Sequence, residues 1–308
     1  MKYHVKSSIV INASLKKIQS YISTFEKWNT WSPWTIVEPK VKHKTTGKPG
    51  TIGHKMSWDG KIIGSGTNTI SEIGKNSFSY DLEFKKPFKS HAKSKIEFKK
   101  VKKGIKVTWS LDSSMPFYLF FMIKSMKAWI EMDYARGLKM LKAMAEDGKI
   151  KAKTTNMGVK KYKGFSYIGI RKTSTMKLMP KDMQAAFGEL VDFVVMKNKT
   201  SAKHWISVYE KSDIGNKMFT YVAAVSDEKL KDITLPDHFV RGKIKNGKML
   251  EIKHQGSYDY LGNAWSMGSM TVRAKKTGGK GYPFEYYWNS PFEVTEEKLK
   301  TSVFFPVK

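Results

Sequence analysis

Apolar and polar positions alternate along much of the first half of the chain, and turn-forming residues separate the alternating runs. A period of two is typical of strands with one buried face. We predict an opening strand over Tyr3–Ile11, followed by a helix with Ser14 at its N-cap. Asp59-Gly60 predicts a tight hairpin. The further predicted strand segments are Thr35–Lys44, Thr51–Trp58, Lys61–Ser71, Ser77–Lys85, Lys89–Lys100 and Ile105–Leu111.

A helical spacing replaces this alternation after Pro116. Apolar residues recur every three or four positions as far as Glu146, which predicts one long helix, and Asp147-Gly148 supplies its stop. The polar stretch Lys149–Gly158 has no periodicity and predicts a linker. We therefore expect domains over residues 1–148 and 159–308, with a linker over residues 149–158.

The second half repeats one pattern of a strand, a helix and two strands. The first copy is predicted as a strand over Val159–Lys172, a helix from Pro180, and strands over Trp205–Glu210 and Met218–Val225. The second copy is predicted as a strand over Met249–His254, a helix over Tyr258–Lys275, and strands over Pro283–Asn289 and Thr301–Val307. Two β-α-β-β copies predict a pseudo-twofold domain with both helices on one side of a joined antiparallel sheet. A cleft on the symmetry axis is a natural ligand site.

The charge of the chain suggests polyanions as partners, but its distribution argues against specific nucleic-acid binding. The formal net charge is +29, yet the basic residues are lysines spread over every segment, with four arginines. Because base recognition favours the guanidinium group, this pattern is more typical of a solvated surface. Weak, salt-dependent adsorption to polyanions is expected.

The cysteine content and the apolar runs of the chain bear on its cellular location and on the chemistry open to it. The chain has no cysteine, which excludes disulfides and thiolate chemistry. The most apolar run, Met115–Ile123, has nine residues, whereas a membrane span needs roughly 20. The start lacks the pattern of a signal peptide. We expect a cytoplasmic protein without a membrane span, and the scattered histidines predict neither a metal site nor a cofactor.

Tryptophans are concentrated in the first half. Trp28, Trp31 and Trp34 recur every three residues around Pro33. They could form part of the core or line a pocket for a hydrophobic ligand.

The first half resembles the START-like, polyketide-cyclase-like helix-grip family. The resemblance rests on INAS (Ile11–Ser14), WNTWSPW (Trp28–Trp34), TIGHKMSWDGK (Thr51–Lys61), EFKKPFKS (Glu83–Ser90), KVTWSL (Lys106–Leu111) and RGLKMLK (Arg136–Lys142). It implies an α+β fold in which an antiparallel sheet wraps round the long C-terminal helix and encloses an apolar cavity for lipophilic ligands. The residues expected at this cavity are Trp28, Trp31, Trp34, Trp58 and Trp109. No fixed catalytic set of the family maps onto this chain.

One carboxylate stands among aromatic residues near the end of the chain, Glu285. Alternation places Glu285, Tyr287 and Asn289 on one face of a strand, and Phe284, Tyr286 and Trp288 on the other. A carboxylate among rings could serve a cationic ligand, because ring faces and an anion both attract positive charge. It could equally be an edge-strand charge that limits aggregation.

The second half resembles the gyrase-inhibitor-like domain, which is the effector-binding domain of AraC-type transcription regulators. The matching segments are QGSYDYLGNAW (Gln255–Trp265) and FEYYWNSPFEVTEEKLKTSVFFPV (Phe284–Val307). The resemblance implies that Glu285 reaches the central cleft and contacts effectors that are often lipophilic cations. Trp265 and Tyr258 match positions near that cleft. Tyr287-Trp288 departs from the family pattern and could narrow the pocket, whereas Tyr209, the counterpart of Tyr287 in the first copy, could line the opposite side. Ser207 is the counterpart of Glu285.

Three functions remain open on these grounds. The main hypothesis is a sensor or effector-binding module for lipophilic small molecules, including cations, without a DNA-binding segment of its own. The second is a hydrolase or cyclase with Glu285 as general acid or base. The sequence offers no second acid and no pair of nucleophile and base to support it. The third is an adaptor that binds another protein.

Overall fold

The computed structural model describes residues 1–198, 202, 204–230 and 232–308. The chain divides into two units, Met1–Lys151 and Ala152–Lys308. Each unit has its own antiparallel sheet and its own helices, so the fold is α+β as predicted.

The first unit is an antiparallel sheet with a long helix against it. Its strands follow the order β1-β7-β6-β5-β4-β3-β2 across the sheet. The strands are β1 (Lys2–Ile11), β2 (Lys42–Thr46), β3 (Lys55–Asp59), β4 (Ser65–Gly74), β5 (Ser77–Lys86), β6 (Ser90–Val101) and β7 (Gly104–Ser114). The helices are α1 (Leu15–Ser23), α2 (Phe25–Trp28), α3 (Pro33–Val37) and α4 (Ile123–Asp147), with a 3-10 segment over Phe117–Met122 before α4.

The predicted N-terminus of α1 and the predicted C-terminus of α4 are confirmed. Ser14 Oγ accepts the N–H of Lys17 at 3.2 Å and caps α1. Gly148 has a φ of 76° and ends α4 in the left-handed conformation, where glycine is favoured.

Two local predictions for the first unit were wrong. The strand predicted over Thr35–Lys44 begins only at Lys42, because Pro33 occupies the first turn of α3. The tight hairpin predicted at Asp59-Gly60 is a longer loop. There the carboxylate of Glu38 accepts the N–H groups of residues 61, 62 and 63 at 2.8, 2.9 and 3.0 Å. That contact joins positions far apart in sequence, so no local pattern encodes it.

The core of the first unit is aromatic. Trp109 of β7 stacks on Tyr134 of α4 with ring centroids 3.9 Å apart. Trp28, Trp31 and Trp34 meet Trp109 edge-on at 5.3, 5.5 and 5.8 Å. These contacts join the α1–α3 region, the sheet and α4 into one packed cluster.

The second unit has an antiparallel sheet in the order β12-β9-β11-β10-β14-β15-β13-β8. Its strands are β8 (Ala152–Tyr162), β9 (Phe165–Thr175), β10 (His204–Asp213), β11 (Met218–Ser226), β12 (Phe239–Ile244), β13 (Gly247–Gly256), β14 (Phe284–Tyr287) and β15 (Lys300–Val307). Its helices are α5 (Met179–Val191), which continues as a π-helical turn over Asp192–Lys197, and α6 (Gly262–Lys275).

The strand order shows the predicted duplication. The first copy is β9-α5-β10-β11 and the second is β13-α6-β14-β15. The six strands lie in the order β9-β11-β10-β14-β15-β13. The second copy therefore has the reverse strand order of the first, as a pseudo-twofold axis requires, and the copies meet where β10 pairs with β14. Trp265 of α6 packs against the same core cluster as Ala186 and Leu190 of α5, and therefore both helices cover one face of the sheet.

The predicted linker over residues 149–158 is largely strand. From Ala152 onward these residues belong to β8, which pairs with β13. The strand predicted over Val159–Lys172 is two strands, β8 and β9, and β12 was not predicted. Most side chains of β8 are exposed on both faces of the strand, and they are therefore mostly polar. This polar composition resembles that of a linker, although the backbone of β8 is paired with β13.

Candidate functional site

Glu285 lies at the centre of the second sheet, where the two copies meet. Its strand β14 pairs with β10 on one side and β15 on the other, and Ser207 is directly opposite Glu285. The side chain points to the face that the helices cover and is only 3% exposed. The edge-strand interpretation of this carboxylate is therefore excluded.

Three aromatic side chains donate hydrogen bonds to the Glu285 carboxylate. Oε1 accepts the indole N–H of Trp265 at 2.6 Å and the hydroxyl of Tyr209 at 3.0 Å. Oε2 accepts the hydroxyl of Tyr287. The donors come from β10, β14 and α6, so both copies of the repeat contribute to one site.

The pKa of Glu285 reflects two opposing effects. Burial raises the pKa above its ordinary value, and the hydrogen bonds from Tyr287, Trp265 and Tyr209 lower it without cancelling that rise. No lysine, arginine or histidine in the described part of the chain lies within salt-bridge distance of this carboxylate. Its partners in the described part of the chain are thus neutral donors.

The tyrosine donors are themselves strongly perturbed. Burial and the neighbouring Glu285 raise the pKa values of Tyr209 and Tyr287 well above the ordinary value, so both are neutral phenols in the working range of pH. The same two causes raise the pKa of Tyr258 to about 12. Neutral phenols are the form that can donate to a carboxylate.

Helix α5 forms the side of the site nearest to Tyr287. The Tyr287 hydroxyl lies 3.0 Å from Ser207 Oγ and 3.5 Å from the sulfur of Met183. The ring of Phe187 meets the ring of Tyr287 edge-on at 5.6 Å. Met179 lies one turn before Met183, with its sulfur 3.9 Å from the Tyr209 hydroxyl. Methionine side chains adapt easily in shape, so this side of the site can adjust its packing.

The structure brings together most of the predicted residues of this site. Tyr209, Trp265 and Tyr287 contact Glu285 directly. Tyr258 contacts it only through Tyr287, whose ring lies 5.9 Å away, and is partly exposed.

Trp288 does not belong to the Glu285 site. Its ring lies 4.4 Å from that of Tyr286, and its indole N–H bonds to Ser302 Oγ at 2.9 Å. Both partners are on the opposite face of the sheet. A residue adjacent to Tyr287 in sequence points the other way because side chains alternate along an extended segment.

The α5 residues Met179, Met183 and Phe187 were not predicted for this site. Their spacing of four positions places them on one face of a helix, and that signal indicates a buried face. Which part of the sheet this face covers is decided only by packing.

The five tryptophans expected at the cavity of the first unit do not lie together. Trp28, Trp31, Trp34 and Trp109 pack against one another in the core described above. Trp58 lies apart from them, 5.9 Å from Phe84. It belongs to a surface groove whose lining includes Lys42, Lys85 and Lys86.

Other kinds of site find little support in the described residues. They contain no group of three or more His, Asp or Glu side chains placed to hold a metal ion. Nor does any helix among them have the length and apolar composition needed to cross a membrane.

Comparison with known families gives one match for each unit. Residues 2–146 match the family described as polyketide cyclase / dehydrase and lipid transport. Residues 156–308 match the family described as GyrI-like small molecule binding domain. Both resemblances deduced from the sequence are confirmed. No curated protein matches the chain.

Several solved structures are similar to one half of the chain each. Protein CV1439 from Chromobacterium violaceum is 13% identical over 46% of this chain and 96% of its own, with a TM-score of 0.36. The Aha1 dimer from Colwellia psychrerythraea is 17% identical over 48% of this chain and 99% of its own, with a TM-score of 0.36. SAV2435 bound to tetraphenylphosphonium is 15% identical over 50% of this chain and 94% of its own, with a TM-score of 0.39.

Proposed function

We propose that this chain, which joins a polyketide cyclase / dehydrase and lipid transport domain to a GyrI-like small molecule binding domain, binds lipophilic cations at Glu285. The observation that carries the proposal is a carboxylate that is 3% exposed, is held by three aromatic donors, and has no cationic partner among the described residues.

The electrostatics of the site favour a cationic ligand over a neutral one. An ionised carboxylate loses solvation when it is buried, and hydrogen bonds from neutral donors replace only part of that loss. A cation placed beside Glu285 supplies the missing countercharge. The ring faces of Trp265, Tyr209 and Tyr287 add further attraction for positive charge.

The same geometry explains why the ligand should be lipophilic. Phe187, Met179 and Met183 form apolar surface next to the donors. Since Tyr209, Tyr287 and Trp265 now lie directly on the carboxylate, a ligand must displace at least one of these rings to reach it. The energy for that displacement comes from burying the ligand's own apolar surface.

The test compares a lipophilic cation with a neutral molecule of similar shape. Tetraphenylphosphonium serves as the cation and triphenylphosphine oxide as the neutral probe, and binding is measured by calorimetry and thermal shift. We expect Glu285→Gln to weaken tetraphenylphosphonium binding at least about tenfold, equivalent to about 1.4 kcal/mol. Binding of triphenylphosphine oxide should change little, because it carries no net charge.

Glu251 provides a matched control. It is a second buried carboxylate in the same sheet, but it lies on the opposite face and is bonded to Lys160 at 3.0 Å and to Ser302 at 2.9 Å. Glu251→Gln should leave tetraphenylphosphonium binding unchanged. Equal affinities in wild type and Glu285→Gln would disprove the assignment of the site.

One observation favours a second candidate function, hydrolysis with Glu285 as general base. Burial raises the pKa of this carboxyl, as a base working near neutral pH requires. Turnover of an activated ester that disappears in Glu285→Gln, and that follows the ionisation of this group, would support the enzyme over the binding module.

A further inference from the structure

Four aromatic side chains project into solvent immediately after β7. They are Phe117, Tyr118, Phe120 and Phe121, which we call the aromatic tip, and each is between 63 and 77% exposed. Their rings contact each other in pairs, and the 3-10 segment that carries them has no buried residue. Soluble proteins seldom expose so many large apolar groups at one place unless a partner covers them.

The strand register places a further exposed aromatic residue at the same end of the sheet. Ser113, near the end of β7, is opposite Ala92, near the start of β6. Phe88 lies in the short connection between β5 and β6 and is 81% exposed. The tip and this connection therefore emerge side by side.

Exposed lysines lie at the same end of the sheet as this apolar surface. Lys2 starts β1 opposite Ser114, and Lys86 ends β5 opposite Ser65. The lysines at these strand ends and loops are Lys2, Lys42, Lys61, Lys85, Lys86 and Lys89. The acidic side chains at the same strand ends and loops are Glu38, Asp59, Glu83 and Asp112; Glu38 accepts the backbone N–H groups of residues 61 to 63, and Asp112 is bonded to His4 at 2.8 Å. Positive charge therefore prevails around the aromatic tip.

An anionic lipid surface fits this combination better than other polyanions do. Aromatic side chains partition to the boundary between headgroups and hydrocarbon, and lysines next to that boundary attract anionic headgroups. A nucleic-acid surface would be expected to include arginine. The four arginines of the chain, Arg136, Arg171, Arg241 and Arg273, are in α4 and in the second unit.

We propose that the first unit docks peripherally on anionic membranes, with the aromatic tip and Phe88 inserted among the headgroups and the surrounding lysines against the lipid phosphates. Each lysine near the surface contributes about a fivefold gain in affinity. The aromatic residues make the contact specific for a bilayer, since charge alone would bind any polyanion.

The first test is co-sedimentation of the full chain with vesicles at physiological salt. Wild type should bind vesicles of equal parts phosphatidylcholine and phosphatidylglycerol and should not bind phosphatidylcholine alone. The double substitution Phe120→Ser and Phe121→Ser leaves every charge in place and changes no buried residue. It should weaken binding at least about tenfold.

Phe292 supplies the control for this experiment. It is 97% exposed and lies in the second unit, far from the tip in sequence. Phe292→Ser removes more exposed apolar surface than either single tip substitution, and it should bind the anionic vesicles as wild type does.

The absence of cysteine allows a second, direct readout. Phe121→Cys and Phe292→Cys can each be labelled at a single position with a polarity-sensitive fluorophore. The label at 121 should shift to the blue on addition of anionic vesicles, and the label at 292 should not.

Three outcomes would overturn the proposal. One is unchanged vesicle binding of the double variant, which would mean adsorption by charge alone. Another is the same fluorescence shift at both labelled positions, or none at either. The third is a dimer of the wild type that the double variant dissociates while vesicle binding is unaffected, which would assign the aromatic tip to a second copy of the chain.

Discussion

At the residue scale, Glu285 shows how neutral donors can hold a buried acid in a fold. Each of its oxygens has a donor, so no acceptor is left unsatisfied. Desolvation still prevails, and the pKa of the carboxyl is raised. The buried site therefore favours the protonated form of this carboxyl more than water does.

This raised pKa predicts a specific dependence of stability on pH. In the unfolded chain the carboxyl titrates near its ordinary value of 4.5. Below that pH, Glu285 is protonated in both states and its full contribution to stability is present. As pH rises from 4.5 through the folded pKa, the unfolded chain releases the proton first, so that contribution is lost.

The measurement is the thermal midpoint of wild type and Glu285→Gln over the same pH series. Because Gln does not titrate, the wild type should lose stability relative to the variant as pH increases through this window. The other ionisable groups are common to both proteins and cancel in the difference. Parallel curves throughout the series would contradict a raised pKa in the folded state.

The sequence predicted which residues lie at this site better than it predicted the hydrogen bonds among them. Alternation along β14 placed Glu285 and Tyr287 on one face, and both lie there. The resemblance of the second half to a known domain added Trp265. That Tyr209 donates to the same oxygen as Trp265 follows from the pairing of β10 with β14, which joins positions more than 70 residues apart.

At the element scale, helix α6 is held unusually close to the sheet, and this closeness positions Trp265. A Cβ atom on Gly268 would lie 1.9 Å from the ring of Phe305 on β15. Gly268 is one helical turn after Trp265, whose own ring meets Phe305 edge-on at 5.4 Å. The absence of a side chain at residue 268 allows the approach that brings the indole N–H to Glu285.

Two glycine substitutions separate this packing effect from helix propensity. Gly268→Ala should destabilise the protein by about 1–2 kcal/mol, since the overlap with Phe305 outweighs the gain in propensity. Gly188→Ala in α5 should stabilise it by about 0.5–1 kcal/mol, because a Cβ atom there meets nothing within 4 Å. Chemical denaturation measures both changes.

The outcome that would contradict this explanation is stabilisation by both substitutions. It would show that α6 can move away from β15 at little cost. In that case the contact between Trp265 and Glu285 would not depend on the close approach of the helix.

Strands and helices were predicted well where a local sequence pattern determines them. They were predicted poorly where pairing with a distant strand determines them. The strands from β4 to β7 lie close to their predicted positions because alternation and turn residues agree there. The first part of β8, up to residue 158, was predicted as a linker because its side chains are mostly exposed and show no apolar alternation. Its strand conformation comes from pairing with β13, to which Thr154 adds a contact at 3.3 Å with His254.

At the scale of the whole molecule, each unit has a core of its own. The first contains the tryptophan cluster around Trp109, and the second has separate clusters on the two faces of its sheet. A unit with a complete core and a complete sheet should fold by itself.

Two fragments test the boundary between the units. The fragment 152–308 includes all of β8 and should unfold in one cooperative thermal transition. The fragment 159–308, which begins at the boundary predicted from sequence, lacks most of β8 and leaves His254 and the edge of β13 uncovered. Its transition should lie at a lower temperature or be absent, as monitored by circular dichroism. Equal stability of the two fragments would mean that β8 is dispensable.

The sequence by itself determined the two-part organisation, the α+β class, the duplication and the carboxylate at the centre of the second half. These features rest on periodicity, turn chemistry and short motifs, all of which are local or repeat at fixed intervals. Only the tertiary structure decided that three donors from both copies of the repeat meet at Glu285, that α5 covers Tyr287, and that four tryptophans pack into a core. Those results depend on strand pairing and helix packing between residues distant in sequence, and a linear pattern does not specify which distant partners meet.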